Sequence, residues 1–293
     1  MAAGPARKVS MGALANTIVK LNHGMYVLLS VLLALAFVTM VAGGILGTEL
    51  PACIGTNASP YWLLTELIDI ASPNPFALAI LSFLIAASVL PFTTLCVRES
   101  ALLIAQSPLS RGKFLATSYL MAAGIAAAPV VAALLIWSLV VPVIMPYTAV
   151  TPAALGGAAA ALTALFTIPT AIFGVSLAAI VSSRLNFTHT AAILFMVAYL
   201  IVGPFLLAAV ESLVGPKLLY VAAAICPGTG LAYYVSRAFG FYIRATAANQ
   251  GVAGPIYLNL NPLTCLTISL ASLALVTAAA VVLFTRYAEV RGA

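Results

Sequence analysis

Arg98-Glu-Ser-Ala-Leu-Leu-Ile-Ala-Gln-Ser-Pro-Leu-Ser-Arg-Gly-Lys113 is a short polar interruption between two long apolar runs. Charge is scarce in this chain: 6% of residues are Asp, Glu, Lys or Arg, against 64% hydrophobic. Four of the 18 charged side chains (12 basic plus 6 acidic) fall in this one stretch. A mean hydropathy of +1.18 over 293 residues lies far outside the range of a soluble globular domain. The apolar runs on either side are long enough to cross a hydrocarbon core of roughly 30 Å at 1.5 Å per residue. The fold class follows: an all-α, polytopic integral membrane protein whose polar loop meets something in water.

Working outward, the apolar runs predict six transmembrane helices. The first covers about Met25–Leu46 and the second about Phe76–Val97. The third lies within Phe114–Met145, the fourth within Ala153–Ser183, the fifth covers Ala191–Val214 and the last Leu263–Thr285. Pro129, Pro142 and Pro169 are candidate kink sites, because each removes a backbone donor. Before the first span, Met11, Leu14, Ile18, Leu21 and Met25 recur three and four apart, on one helix face. Residues 9–23 therefore read as an amphipathic helix lying at the interface. No cleavable signal peptide is evident, since the apolar run that follows is too long for one.

Residues 215–261 are harder to read. Leu218–Val235 is apolar, but Pro227, Gly228 and Gly230 interrupt it. A seventh span and a re-entrant or irregular outer segment are both open. Charge counting does not choose between them. With six spans and the N-terminus inside, Arg7, Lys8, Lys20, Arg98, Arg111, Lys113, Arg184, Arg286 and Arg291 are cytoplasmic, and Lys217, Arg237 and Arg244 are outside. With seven, Arg237 and Arg244 exchange sides with Arg286 and Arg291, and the balance stays the same. A Pro-Gly break in lipid needs protein or water to satisfy its freed backbone groups, which favours six. The chain reads as one membrane domain, 1–293.

Several chemistries find no support in the residues. The basic residues are spread through loops rather than clustered with aromatics, so nucleic acid is not an expected partner; membrane lipid is. His23 and His189 both fall at predicted membrane boundaries, on different segments, and read as interfacial residues. Cys53, Cys96, Cys226 and Cys265 lack metal-ligand spacing. They read as independent apolar side chains, with one possible disulfide, Cys226 to Cys265, if the outer side is oxidising. Glu49, Glu66, Asp69, Glu211, Glu99 and Glu289 all map to span margins, which argues against a proton-coupled carrier. No G-x-x-x-x-G-K-[ST] loop is present, so the chain is not expected to be an enzyme or to hold a cofactor of its own.

The polar interruption itself has internal order. Pro108 suits the first turn of a helix with Ser107 as its cap, and Ala101–Ala105 is a compact apolar run suited to a short surface helix. Glu99, then Leu102-Leu103, then Ser107-Pro-Leu-Ser-Arg111 resembles the cytoplasmic segment between the second and third spans of type-2 ABC exporter permeases. The layout of interfacial helix, six spans, irregular outer segment and basic tail resembles that family as well.

The resemblance implies a plasma-membrane permease with a cytoplasmic N-terminus, paired with a second permease subunit, identical or related. Each would seat an ATP-binding cassette subunit, which would hold the ATP and Mg. Residues 98–113 would be the coupling segment. Arg98, Glu99, Leu102, Leu103, Ser107, Pro108, Ser110, Arg111 and Lys113 would meet the ATPase, with Glu99 and Arg111 as the main charged contacts. The scarcity of polar groups within the spans suggests an amphipathic, lipid-like or drug-like cargo. A non-transporting anchor subunit of a larger membrane complex is the alternative, and a proton-coupled carrier a more distant one.

Overall fold

The computed structural model describes residues 10–47, 84, 87–93, 108–140, 152–183, 194, 218–238 and 261–287. Among these residues there is no strand, and nearly all are helical. The elements are α1 (Met11–Leu21), α2 (His23–Gly47), α3 (Pro108–Leu135, followed by a π-helical turn Ile136–Val140), α4 (Pro152–Ser182), α5 (Leu218–Ile225), α6 (Pro227–Ala238) and α7 (Pro262–Tyr287). A further helical piece covers 87–93.

Among the described residues, three helices are long and apolar enough to cross a membrane: Arg111–Leu135 in α3, Thr163–Ser182 in α4 and Pro262–Arg286 in α7. A fourth is reached if Met11–Leu21 and His23–Leu35, which meet at 80°, are taken as one broken span. The expected second and fifth spans lie mostly outside the described residues.

Local chemistry sets the ends. Ser10 caps α1, accepting a hydrogen bond from the Ala13 N–H at 3.2 Å, and Lys20 in the last turn faces the negative end of the helix dipole. Pro108 opens α3 as the sequence predicts, since its missing N–H costs nothing at a helix start. Asn261 caps α7, its side chain accepting from the Leu263 N–H at 3.0 Å. Pro129 and Pro169 both lie within continuous helices. Pro142 is outside the described residues.

Helix α4 is the centre of the bundle, packing against α3, α6 and α7. It runs antiparallel to α3, and three contacts taken in order establish this. Gly156 faces the Leu134 carbonyl and Ser138 at one end; the Thr167 hydroxyl is 3.1 Å from the Ala126 carbonyl in the middle; Tyr119 and Ser176 hydroxyl oxygens are 2.9 Å apart at the other end. Ser176 donates to its own helix at Ile172 (2.8 Å), leaving both lone pairs for the hydroxyls of Tyr119 and, at 3.3 Å, Thr277 of α7. That three-hydroxyl junction fixes the rotation of three helices where packing among apolar side chains alone supplies little drive in lipid.

Helices α5 and α6 form a hairpin against the first half of α7. Tyr233 of α6 packs with Cys265 of α7, and Tyr220 of α5 packs against that pair. Between the two tyrosines in sequence, Ala223 and Ala224 reach further along α7, to Ser269 and Ser272. The chain thus advances along α7 for roughly a turn and doubles back.

Pro227 has no N–H to offer the Ala223 carbonyl, and the break also parts Ala224 from its helical donor. The Ser269 hydroxyl donates to the first at 3.1 Å and the Ser272 hydroxyl to the second at 2.5 Å. The return is possible only with glycine. A Cβ at Gly228 would land on the Phe166 backbone, and one at Gly230 on Ser269 Oγ and the Cys265 carbonyl.

Candidate functional site

The polar interruption is bracketed by residues that all gather at one end of the bundle. Residues 98–107, which include Arg98, Glu99, Leu102, Leu103 and Ser107, lie outside the described residues. Both flanks are within them. On the entry side, Phe92 sits edge-on to Phe114, with ring centroids 5.6 Å apart. Phe92 is also edge-on to Phe284, again at 5.6 Å, while Phe114 stacks on Phe284 at 5.9 Å. All three rings are completely buried. One belongs to the helix entering the interruption, one to α3 leaving it, and one to the last turns of α7. Edge-to-face and offset rings suit the aromatic quadrupole and fix relative orientation as well as distance.

A polar contact joins the bend between α1 and α2 to the same end. Asn22 is buried, and its Nδ2 donates to the Ile18 carbonyl at 3.1 Å, closing α1. Its carbonyl then accepts from the Tyr26 N–H at 2.9 Å, opening α2. Its Oδ1 lies 2.9 Å from the Thr93 hydroxyl, whose hydrogen is shared with the Leu90 carbonyl at 2.7 Å. The bend is therefore anchored one residue beyond Phe92, at the mouth of the interruption.

On the exit side, the expected contact residues divide. Pro108 and Ser110 stand in the first turn of α3. Lys113 is exposed. Arg111 is engaged internally: its Nη1 donates to the Thr285 carbonyl at 3.4 Å. A cation in the first turn of α3 opposes that helix's dipole, but at Thr285 it meets one of the last carbonyls of α7, which have no helical donor. This tie was not legible in the sequence, which assigned Arg111 only to an outside partner. No periodicity relates position 111 to position 285.

Cys226 and Cys265 stand as separate buried thiols rather than a disulfide. The Cys226 sulfur is 3.4 Å from the Thr170 hydroxyl, and Cys265 packs with Tyr233. Among the described residues no group of three or more His, Cys, Asp or Glu comes together to hold a metal ion.

Comparison with family models, with curated proteins and with solved structures returned no match.

Proposed function

We propose that this chain is the membrane-spanning permease subunit of an ATP-driven transporter of the type-2 ABC exporter kind. It sits in the plasma membrane with its N-terminus in the cytoplasm, paired with a second permease chain. An ATP-binding subunit grips residues 98–113, supplies the ATP and Mg chemistry, and drives export of an amphipathic, lipid-like or drug-like cargo. The observation that carries the reading is the convergence on the two flanks of that segment. Phe92, Phe114 and Phe284 interlock, and Thr93 meets the α1–α2 bend at Asn22. A push on the segment is thereby delivered to three helices and to the bend between α1 and α2 at once, which is what a coupling helix requires. A simple anchor subunit has no need of such a convergence.

The six-span layout is part of this proposal, and crossing parity supports it. The start of α3 and the end of α7 share one side of the molecule, because Arg111 reaches Thr285 and Phe114 stacks on Phe284. An even number of crossings must then run from α3 through α7. Helices α3, α4 and α7 with the expected fifth span make four. The α5–α6 hairpin makes no crossing in this count and serves as the re-entrant outer segment. Helix α1, with Met11, Val19, Leu21 and Lys20 exposed, is the interfacial helix on the cytoplasmic side.

The test is copurification. A tagged chain expressed with its native genomic neighbourhood is expected to retain an ATP-binding subunit. Glu99→Ala combined with Leu103→Asp should release that subunit while the permease stays in the membrane. Arg111 is left intact in this variant, because its loss would disturb α7 as well. Wild-type transport in the Glu99/Leu103 variant would contradict the coupling role.

A further inference from the structure

We propose that α7 is a strut that ties the flank of residues 98–113 to the α5–α6 hairpin, with Arg111 as its latch. The inference goes beyond the transport reading and does not require it. Three sets of contacts carry it, all on one continuous helix.

At its C-terminal end α7 is held twice, by the stack of Phe284 on Phe114 and by the hydrogen bond from Arg111 to the Thr285 carbonyl. Midway, Thr277 meets Ser176 of α4, and Ser176 meets Tyr119 of α3. Nearer its N-terminus, Ser269 and Ser272 donate to the Ala223 and Ala224 carbonyls, the two acceptors orphaned by the break in the hairpin. From Ser269 to Thr285 the helix covers about 24 Å at 1.5 Å per residue. Over that length it contains neither proline nor glycine, the residues that most often let a helix bend.

The latch has a chemical logic. Arg111 stands where its own helix disfavours a cation, and its guanidinium instead serves the carbonyl end of another helix. The far contacts have one too. The Ser269 and Ser272 hydroxyls are the partners seen for carbonyls that Pro227 and the break deprive of helical donors, and buried acceptors without a donor are costly. A shift of α7 along its axis must therefore either carry the hairpin with it or strip those two carbonyls. A latch at one end and a pair of caps at the other make α7 a mechanical link, whereas mere proximity of two sites would not.

Amide hydrogen exchange on the full chain in lipid nanodiscs tests this. With Ser269→Ala plus Ser272→Ala, exchange at 223–230 is expected to rise about tenfold, since two buried carbonyls lose their donors. With Arg111→Gln, whose change lies at the opposite end of α7, exchange at the same residues is expected to rise roughly threefold. Arg111→Lys, which restores a cation, should fall back toward the wild-type rate. Exchange across 154–160 in α4, the end that packs on Leu134 and Ser138 rather than on Thr277, should be unchanged in all three.

Faster exchange at 223–230 in the serine variant with none in Arg111→Gln would overturn the strut, because the two ends of α7 would then act independently. Equal acceleration across 154–160 and the hairpin would also overturn it, as general loosening. No ATP-binding subunit enters this experiment, so its failure is separable from failure of the transport reading.

Discussion

The two ends of α7 are joined to their neighbours by opposite means. At its C-terminal end the contacts are large and side-chain based: three interlocked phenylalanines and a long cation reaching across to a carbonyl. Near its N-terminal end they are small and backbone based. Gly230 lies against Ser269 and Cys265, and two serines cap the hairpin's orphaned carbonyls, while Gly228 of the same hairpin lies against the Phe166 carbonyl of α4. The difference teaches which changes each region tolerates. A phenylalanine cluster loses packing when truncated but leaves the backbones where they are. A glycine contact between two backbones has no slack at all, because any added carbon must displace main chain.

The largest expected effect breaks the comparison on the hairpin side. Gly228→Ala puts a carbon onto the Phe166 backbone and is expected to cost about 3 kcal/mol or more, read as a lower midpoint in thermal or denaturant unfolding in detergent. Retained wild-type stability would mean that α6 does not sit against α4. Next comes Phe284→Ala, expected to cost about 2 kcal/mol. Lipid is as apolar as the phenylalanine core, so mainly the cavity term remains of the usual core penalty.

Gly112→Ala sharpens the contrast from the other direction. Nothing lies within 4 Å of a Cβ at Gly112, so the change is expected to stabilise α3 by about 0.7 kcal/mol, the ordinary helix preference of alanine over glycine. Alanine for glycine should therefore change sign between the two regions. The smallest effect is Tyr119→Phe, which removes one hydroxyl from the α3–α4–α7 junction and should cost about 0.6 kcal/mol, a typical value for one interhelical hydrogen bond in a membrane.

Local signals in the sequence located the helix ends well. The apolar runs in which the fourth and last spans are expected, Ala153–Ser183 and Leu263–Thr285, match the helices α4 and α7 to within a residue or two, because unbroken apolar runs flanked by Pro, Asn, Ser or Arg leave few other ends. Pro108 as the first residue of α3, and a break at Pro227 between α5 and α6, were legible for the same reason: proline lacks the donor a helix interior needs.

The pairings between helices were not legible. Nothing in the spacing of Phe92, Phe114 and Phe284 announces that they touch, in a chain where phenylalanines occur in most of the apolar runs. The caps at Ser269 and Ser272 had half a signal. Pro227 advertises an orphaned carbonyl, but not which of many serines will meet it. Arg111 shows the limit most clearly. A cation in a polar loop reads as a solvent or partner contact, and only the fold brings the end of another helix within its reach.

In the proposed topology residues 98–113 and the last turn of α7 share the cytoplasmic side, with Lys217 on the other. Single cysteines at Gln106, Arg286 and Lys217, in a chain whose four native cysteines are replaced by alanine, can be exposed to a membrane-impermeant maleimide in intact cells and in inverted vesicles. Labelling of positions 106 and 286 is expected only in inverted vesicles, and of 217 only in intact cells. Labelling of position 106 from outside, or of 106 and 286 from opposite faces, would contradict that topology.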